Sequence, residues 1–498
     1  MQGDTQESRG ASNGLRAQSA PRLLKAACTH SAHPAQLVFI PIVMLDTDKS
    51  LDRSPPDDAQ SPRGSSTDLD RQLELDGVRK FNRLGWKRLT VVLFVEAIAL
   101  GSLSLPAAFA TLGMVAGIIC AVGIGFIATY ASYEVGAVKL KYPEVENYGD
   151  IGRLLLGEWG FWLVTVSFMC GMLLNVGSHC LTGTIALADI TRSDICGVVF
   201  GAVSAVVLFV LALPPAFADI AILGYIDIVS ILVAIGITLI ATGIQQSKQP
   251  GGIQSSDWSA WPAEEIDFSS AMVAINNIVF AYSFAIALPS FMSEMHTPKH
   301  YVKSVCTLGV FQTFLYTVIG SVIYAFVGKS VQAPALLSAG PVVSRIAFGI
   351  ALPVIFISGS INISIGVRYI HGNMYRNSLV RYVNSKRGWI TWIMLVAVCT
   401  TISWIVSEAI PVFTTILSIS GALLNSGLCY YVPSLVWFFL VREGSWYSRR
   451  NWRRALMNLF VFLFGIGVLG CGMYANIVVL IRETRDGVSG RPFACSKS

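Results

Sequence analysis

From Leu89 onward the chain is a succession of apolar stretches, each long enough to cross about 30 Å of hydrocarbon as a helix. Inside lipid every backbone N–H and C=O must be paired without water, and a helix does so within its own segment. Eleven such spans are expected, near 89–111, 113–138, 160–187, 195–213, 220–243, 268–292, 302–328, 342–367, 389–407, 411–440 and 455–481. Only 13% of the 498 residues are charged, against 53% hydrophobic, where a soluble domain carries roughly 25% charge. The charges sit between the spans. With the N-terminus in the cytoplasm, the inner connections hold eighteen Lys and Arg and the outer connections three, the asymmetry of cytoplasmic loops. An odd number of spans then sets the short C-terminal tail, 482–498, outside. The net charge of +6 is accounted for by topology, which speaks against nucleic acid as a partner. Trp446, Tyr447 and Trp452 interleave with the last Arg cluster, as aromatic anchors at a headgroup boundary do.

Residues 1–80 are rich in Ser, Asp, Arg, Gln and Pro and read as a disordered cytoplasmic tail. Their one apolar patch, Gln36 to Leu45, is too short to span, and the first thirty residues hold no signal-peptide core. Cys120, Cys170, Cys180, Cys306, Cys399, Cys429 and Cys471 lie inside apolar stretches and read as small buried hydrophobes. No Cys or His spacing suggests a metal, and His296 with His300 reads as a solvated pair. Three catalytic spellings fail on context. GASNG at Gly10–Gly14 has no strand before it, GIGVLG at Gly465–Gly470 lies within a span, and GKS at Gly328–Ser330 lacks the earlier glycine of a phosphate loop. The glycosylation spelling at Asn362 is mid-span. Gly113 and Gly117 form a GxxxG read as internal helix packing.

Two spans carry breakers near mid-membrane. The first has Gly101-Ser102-Leu103-Ser104-Leu105-Pro106, and the sixth has Ala281-Tyr282-Ser283-Phe284-Ala285 before Leu288-Pro289. Pro106 and Pro289 could merely kink packed helices; alternatively, both breaks line a cavity, since unwound backbone is tolerated in lipid only there. The matching breaks divide the chain into 89–243 and 268–440, five spans each, with 455–481 appended. That is the pattern of a five-plus-five inverted repeat. Half-helix ends suit a zwitterion: free N–H groups attract a carboxylate and free carbonyls accept from an ammonium.

The residues also resemble a known family. LGWKRLTVVLFVEAIALGSLSLPAAFATLGMVAG from Leu84, KLKYPEVENYGDIGRLLLG from Lys139, GSHCLTGTIAL from Gly177, FAYSFAIALPSFMSEMHTPKHYVKS from Phe280 and PVFTTILSISGALLNS from Pro411 are similar to the amino acid/auxin permeases, in particular the neutral amino-acid permeases of filamentous fungi. The resemblance covers roughly 81–481. It implies an all-α membrane protein of eleven helices with the leucine-transporter-like fold, and proton-coupled uptake of amino acids. Carried over, it implies that Gly101, Ser102 and Leu103 offer N–H groups to the substrate carboxylate, and that Phe280, Ala281 and Ser283 offer carbonyls to its amine. Where the family pattern leads one to expect Gly-His in the sixth span, this chain has Phe284-Ala285. Phe284 either fills part of the pocket or faces lipid, and unwinding must rely on Ser283 and Pro289.

An ionisable group at mid-bilayer costs roughly 2.5–3.5 kcal/mol on insertion scales, so each is a candidate for function. Glu96, five residues before Gly101, is either a proton carrier or a structural hydrogen bonder. His179 in the third span reads first as a neutral imidazole hydrogen-bonded to a neighbouring helix; Asp227 in the fifth could partner it, and both are further proton-coupling candidates. Glu134 is expected to reach the interface. Ser230, Ser360 and Ser364 could instead hold sodium, with Arg368 either a fixed charge beside them or the first residue of the next loop. The sequence thus reads as a secondary transporter for neutral amino acids in the plasma membrane rather than the vacuole. It has no cofactor or metal and is coupled to protons rather than sodium. A sensor on the same scaffold is the alternative, while a channel or an enzyme has no supporting motif. The partners are the solute and the bilayer; nothing specifies an oligomeric state.

Overall fold

Apolar composition makes these segments helical, and Gly, Pro and polar residues decide where each helix stops. The computed structural model describes residues 84–485 other than 216, 377 and 384, together with Phe493 and Cys495. The tail expected over 1–80 lies outside the described residues. The first span is a pair, α1 (Trp86–Ala97) and α2 (Leu100–Leu112), bent by 47°. Next come α3 (Met114–Lys141), α4 (Tyr148–Thr191), α5 (Gly197–Leu211) and α6 (Phe217–Ser247). The second half begins with α7 (Phe268–Ala281) and α8 (Leu288–Met292) and continues through α9 (Tyr301–Val327), α10 (Pro341–Met374) and α11 (Lys386–Ala409). The tenth span combines α12 (Phe413–Ser420), π-helical turns and α13 (Val432–Val436), and α14 (Trp452–Arg485) is the last helix. Among the described residues seven helices are long and apolar enough to cross a membrane, nine when two bent pairs count as spans, and the shorter apolar α5 and α7 occupy the fourth and sixth expected positions. Among the described residues the only bridge of strand type joins Leu84 to Met295. The chain is an all-α, multi-pass membrane protein with interrupted helices at the head of each half.

Local chemistry explains the corners. Gly113 joins α2 to α3 in one residue at φ +81, and a Cβ there would meet the Trp261 carbonyl carbon at 2.5 Å. The loop that precedes α7 is strapped to this corner, with the N–H groups of Met114 and Val115 donating to the Ser259 and Ala260 carbonyls. In α4, Gly157 (φ 68) separates a short first segment from the span that follows, and Asn147 with Asp150 forms a capping box at its start. The tenth span bends by 41° between Phe413–Asn425 and Gly427–Val441. Its wide π turns over 421–425 and 427–431 were not foreseen from the sequence.

Helix α10 packs on α4 and α6, α9 on α3, and α14 on α7. Two expectations change here. Glu134 does not reach the interface; it is fully buried on α3 and forms an ion pair with Arg454 of α14 at 3.0 Å. Cys306 is not simply a small apolar filler, because it is disulfide-bonded. Cys196, just before α5, is joined to Cys495.

At its far end α14 reaches α7, where Arg482 donates to Asp267 at 2.9 Å. Hydrogen bonds from Arg482 and Ser270 hold the Asp267 carboxyl down at about 2. A depressed carboxyl contributes stability that is complete above its unfolded value near 4 and is lost as pH falls through about 2. This clasp therefore stays charged throughout the pH range of any uptake assay. Removing Arg454 instead leaves the buried Glu134 without its cation. Arg454→Gln is expected to lower stability by on the order of 3 kcal/mol. The Glu134→Gln/Arg454→Gln double variant should recover most of it, as read from thermal unfolding in detergent.

Candidate functional site

The first break falls at Ile98–Ala99, with φ/ψ of −99/44 and −102/−112. This is earlier than the Gly101–Pro106 stretch, which lies inside α2. The reason is tertiary. The carbonyls that the break frees at the end of α1 are taken by neighbouring helices: Val95 by the Ser358 hydroxyl of α10 at 2.7 Å, and Ala97 by the Tyr316 hydroxyl of α9 at 2.5 Å. Ser102 donates to the Ala99 carbonyl at 2.7 Å and steadies the first turn of α2. Helix geometry leaves the N–H groups of Leu100, Gly101 and Ser102 without intrahelical partners, whereas that of Leu103 reaches back to Ala99. The N–H groups open at the head of α2 are therefore those of Leu100, Gly101 and Ser102, one residue earlier than the expected Gly101, Ser102 and Leu103.

The second break runs from Tyr282 to Ala287, and Pro289 sits in the first turn of α8, where its missing N–H is harmless. The Ala281 carbonyl is engaged by Gln312 Nε2 at 2.9 Å and approached by the Tyr316 hydroxyl at 3.3 Å. Gln312 thus takes one of its lone pairs, and the second stays open because the Tyr316 proton goes to the Ala97 carbonyl. The Phe280 carbonyl accepts only the Ser283 N–H at 3.2 Å and keeps a lone pair, and the Ser283 carbonyl receives the weak thiol donor of Cys429. Phe284 faces neither pocket nor lipid but is 1% exposed in the protein core.

The two breaks meet. A Cβ on Gly101 would lie 2.7 Å from both Cα and Cβ of Ala281, so only glycine permits this approach. Between them is a cavity lined by Glu96, Gly101, Asn175, His179, Phe280 and Ser283, with room for about one water molecule. Ser102, Leu103, Phe284 and Asp227 are not in its wall. Glu96 accepts from Asn362 Nδ2 at 3.0 Å, and Asn362 Oδ1 accepts from Asn175 Nδ2 at 2.9 Å. Asn362 Nδ2 also donates to the Ser358 carbonyl at 3.0 Å, so this one amide ties α1, α4 and α10 together.

His179 and Asp227 do not pair. His179 Nδ1 donates to the Ile355 carbonyl at 2.7 Å, while Asp227 Oδ1 lies 3.5 Å from the Ser358 hydroxyl. That hydroxyl already gives its proton to Val95, so the Asp227 contact has a hydrogen only when the carboxyl supplies one. Ser360 and Ser364 donate to carbonyls of their own helix, and Ser230 Oγ is buried without a partner among the described residues. Arg368 pairs with the buried Glu294. On that side of the membrane Leu84 N–H donates to Glu294 and His296 N–H to Leu84, closing the segment before α1 against the segment after α8. His296 is exposed as expected, with Nδ1 of its ring 3.1 Å from the Leu84 carbonyl.

The model of transmembrane amino acid transporter proteins matches residues 82–478. The chain belongs to this family. The transporter is 49% identical over 431 residues to the N amino acid transport system protein of Neurospora crassa, covering 86% of this chain and 92% of that one. It is 26% identical over 429 residues to a transmembrane transporter of Fusarium pseudograminearum, covering 85% and 89%. A solved nucleobase-cation-symport-1 family transporter, in a closed conformation with bromovinylhydantoin bound, aligns over 81% of this chain and 92% of its own, with 15% identity and a TM-score of 0.48.

Sequence reasoning missed Tyr316, Gln312, Asn175 and Asn362, since polar residues in separate spans reveal no proximity. Gly101→Ala should force α2 from α7, an overpacking of about 1–3 kcal/mol at a site that cannot yield. Labelled amino-acid uptake is expected to fall by roughly tenfold at unchanged surface abundance. Tyr316→Phe, which strips the donor from the Ala97 carbonyl at about 1–3 kcal/mol, should lower the unfolding temperature as well as uptake.

Proposed function

We propose that this transporter imports neutral amino acids across the plasma membrane by proton symport, with access alternating around the two broken helices. The observation that carries the reading is Glu96. It is a carboxyl in the cavity wall beside the first break, and its partner is an amide rather than a cation. A proton on Glu96 removes the charge from that hydrogen bond and weakens it roughly twofold, which loosens α1 from α10. Asp227 is the second candidate carrier, joined to the same stretch of α1 through Ser358. The name of the Neurospora crassa relative supports amino acids as the solute.

The carboxylate would meet the N–H groups of Leu100, Gly101 and Ser102 at the positive end of α2. The amine would meet the Phe280 carbonyl at the negative end of α7, with the Ser283 hydroxyl beside it. No Lys or Arg lines the cavity, which supports an uncharged substrate side chain. Because the space holds only about one water, the half-helices must part to admit a solute.

One observation favours sodium as a second reading. Val95 O, Ser358 Oγ and Asp227 Oδ1 bring three oxygens together between α1, α6 and α10. Reconstituted vesicles separate the readings. Proton coupling predicts concentrative uptake in sodium-free buffer when the exterior is acid. Glu96→Gln should abolish that accumulation while labelled amino acid still exchanges across the membrane. Uptake that requires a sodium gradient would replace protons by sodium, and binding without accumulation would indicate a sensor.

A further inference from the structure

A second pocket lies far from the breaks, between the end of the tenth span and the start of α14. It is an open groove of about 370 Å³ walled by Leu435, Phe438, Leu459 and Phe462, with Arg442 and Trp446 at its mouth. Its wall is almost wholly hydrocarbon, and Phe439, Leu456 and Phe460 beside it are exposed, as lipid-facing residues are. The mouth is different. Arg442, Arg449, Arg450 and Arg453 stand in or beside the 442–451 loop, and none forms an ion pair among the described residues. The neighbouring Arg454 is committed to Glu134, and Glu443 is the only acid in this loop. Arg453 lies over the Trp452 ring at 5.5 Å, and Trp446 packs edge-on against Tyr447, so aromatic anchors mark the headgroup level.

We infer that this groove is a binding site for an anionic phospholipid of the Arg-rich leaflet, with one acyl chain between the tenth span and α14 and the headgroup phosphate at Arg442. An apolar slot alone would take any lipid. The four guanidiniums select the headgroup, because a phosphate with a further negative charge meets planar donors that have no carboxylate partner. The inference is independent of which solute or ion the transporter moves.

The test uses the full-length protein in phosphatidylcholine vesicles doped with a small fraction of lipid brominated on its acyl chains, either phosphatidylserine or phosphatidylcholine. Quenching of Trp446 is taken as the difference between wild type and Trp446→Phe. Brominated phosphatidylserine should quench Trp446 as though enriched about fivefold over brominated phosphatidylcholine. Arg442→Gln/Arg449→Gln should remove the preference. Leu435→Phe fills the slot without touching the charges and should remove it too. Equal quenching by the two lipids in the wild type, which needs no variant, would overturn the proposal. A preference that survives Leu435→Phe would also overturn it, by reducing the site to a diffuse layer of anions around the loop.

Discussion

Everything at the centre of this protein depends on giving partners to backbone groups that two helix breaks leave bare inside a membrane. A broken α1 frees the carbonyls of Val95 and Ala97, and a broken α7 frees that of Ala281. In hydrocarbon each orphan would cost several kcal/mol. Side chains from outside the broken pair meet the demand: Ser358 from α10, and Gln312 and Tyr316 from α9. The Tyr316 hydroxyl lies against the C-terminal ends of both α1 and α7, and its single proton goes chiefly to Ala97. The groups left over include the N–H groups opening α2 and a lone pair on each of the Phe280 and Ala281 carbonyls.

The same economy governs the polar side chains. Asn362 commits both amide hydrogens and its oxygen, to Glu96, the Ser358 backbone and Asn175. Its orientation is thereby fixed, and so is the direction from which Glu96 is approached. His179 spends Nδ1–H on Ile355, which in the neutral ring leaves Nε2 as an acceptor at the cavity. Away from the cavity, the ion pairs of Glu134 and Asp267 fasten α14 to α3 and α7, so the last helix braces both halves.

Much of the architecture could be read from the sequence because lipid imposes a simple rule on backbone. Apolar length located the helices, and Gly and Pro pointed to the first and sixth as the interrupted ones. The position of the first break was legible only to within a turn. Gly101 and Pro106 are local signals, whereas the break at Ile98–Ala99 is held by Tyr316 and Ser358, which are distant in sequence. Gly101 was noticed for its freedom of conformation, yet its role in the structure is steric, as the point where α2 touches Ala281. Glu134 looked interfacial because Arg454 lies 320 residues away, and the bend in the tenth span follows π turns that no hydrophobic pattern announces.

The one-residue corner at Gly113 has a mechanical consequence. Half-helix α2 runs into α3 without slack, and the segment at Ser259–Ala260 is stitched to the same joint. Any tilt of α2 is therefore passed to α3 and to that segment in a single stroke. A longer connection would let α2 rearrange while the loop above it stayed indifferent; here the hinge is too short for the two to disagree.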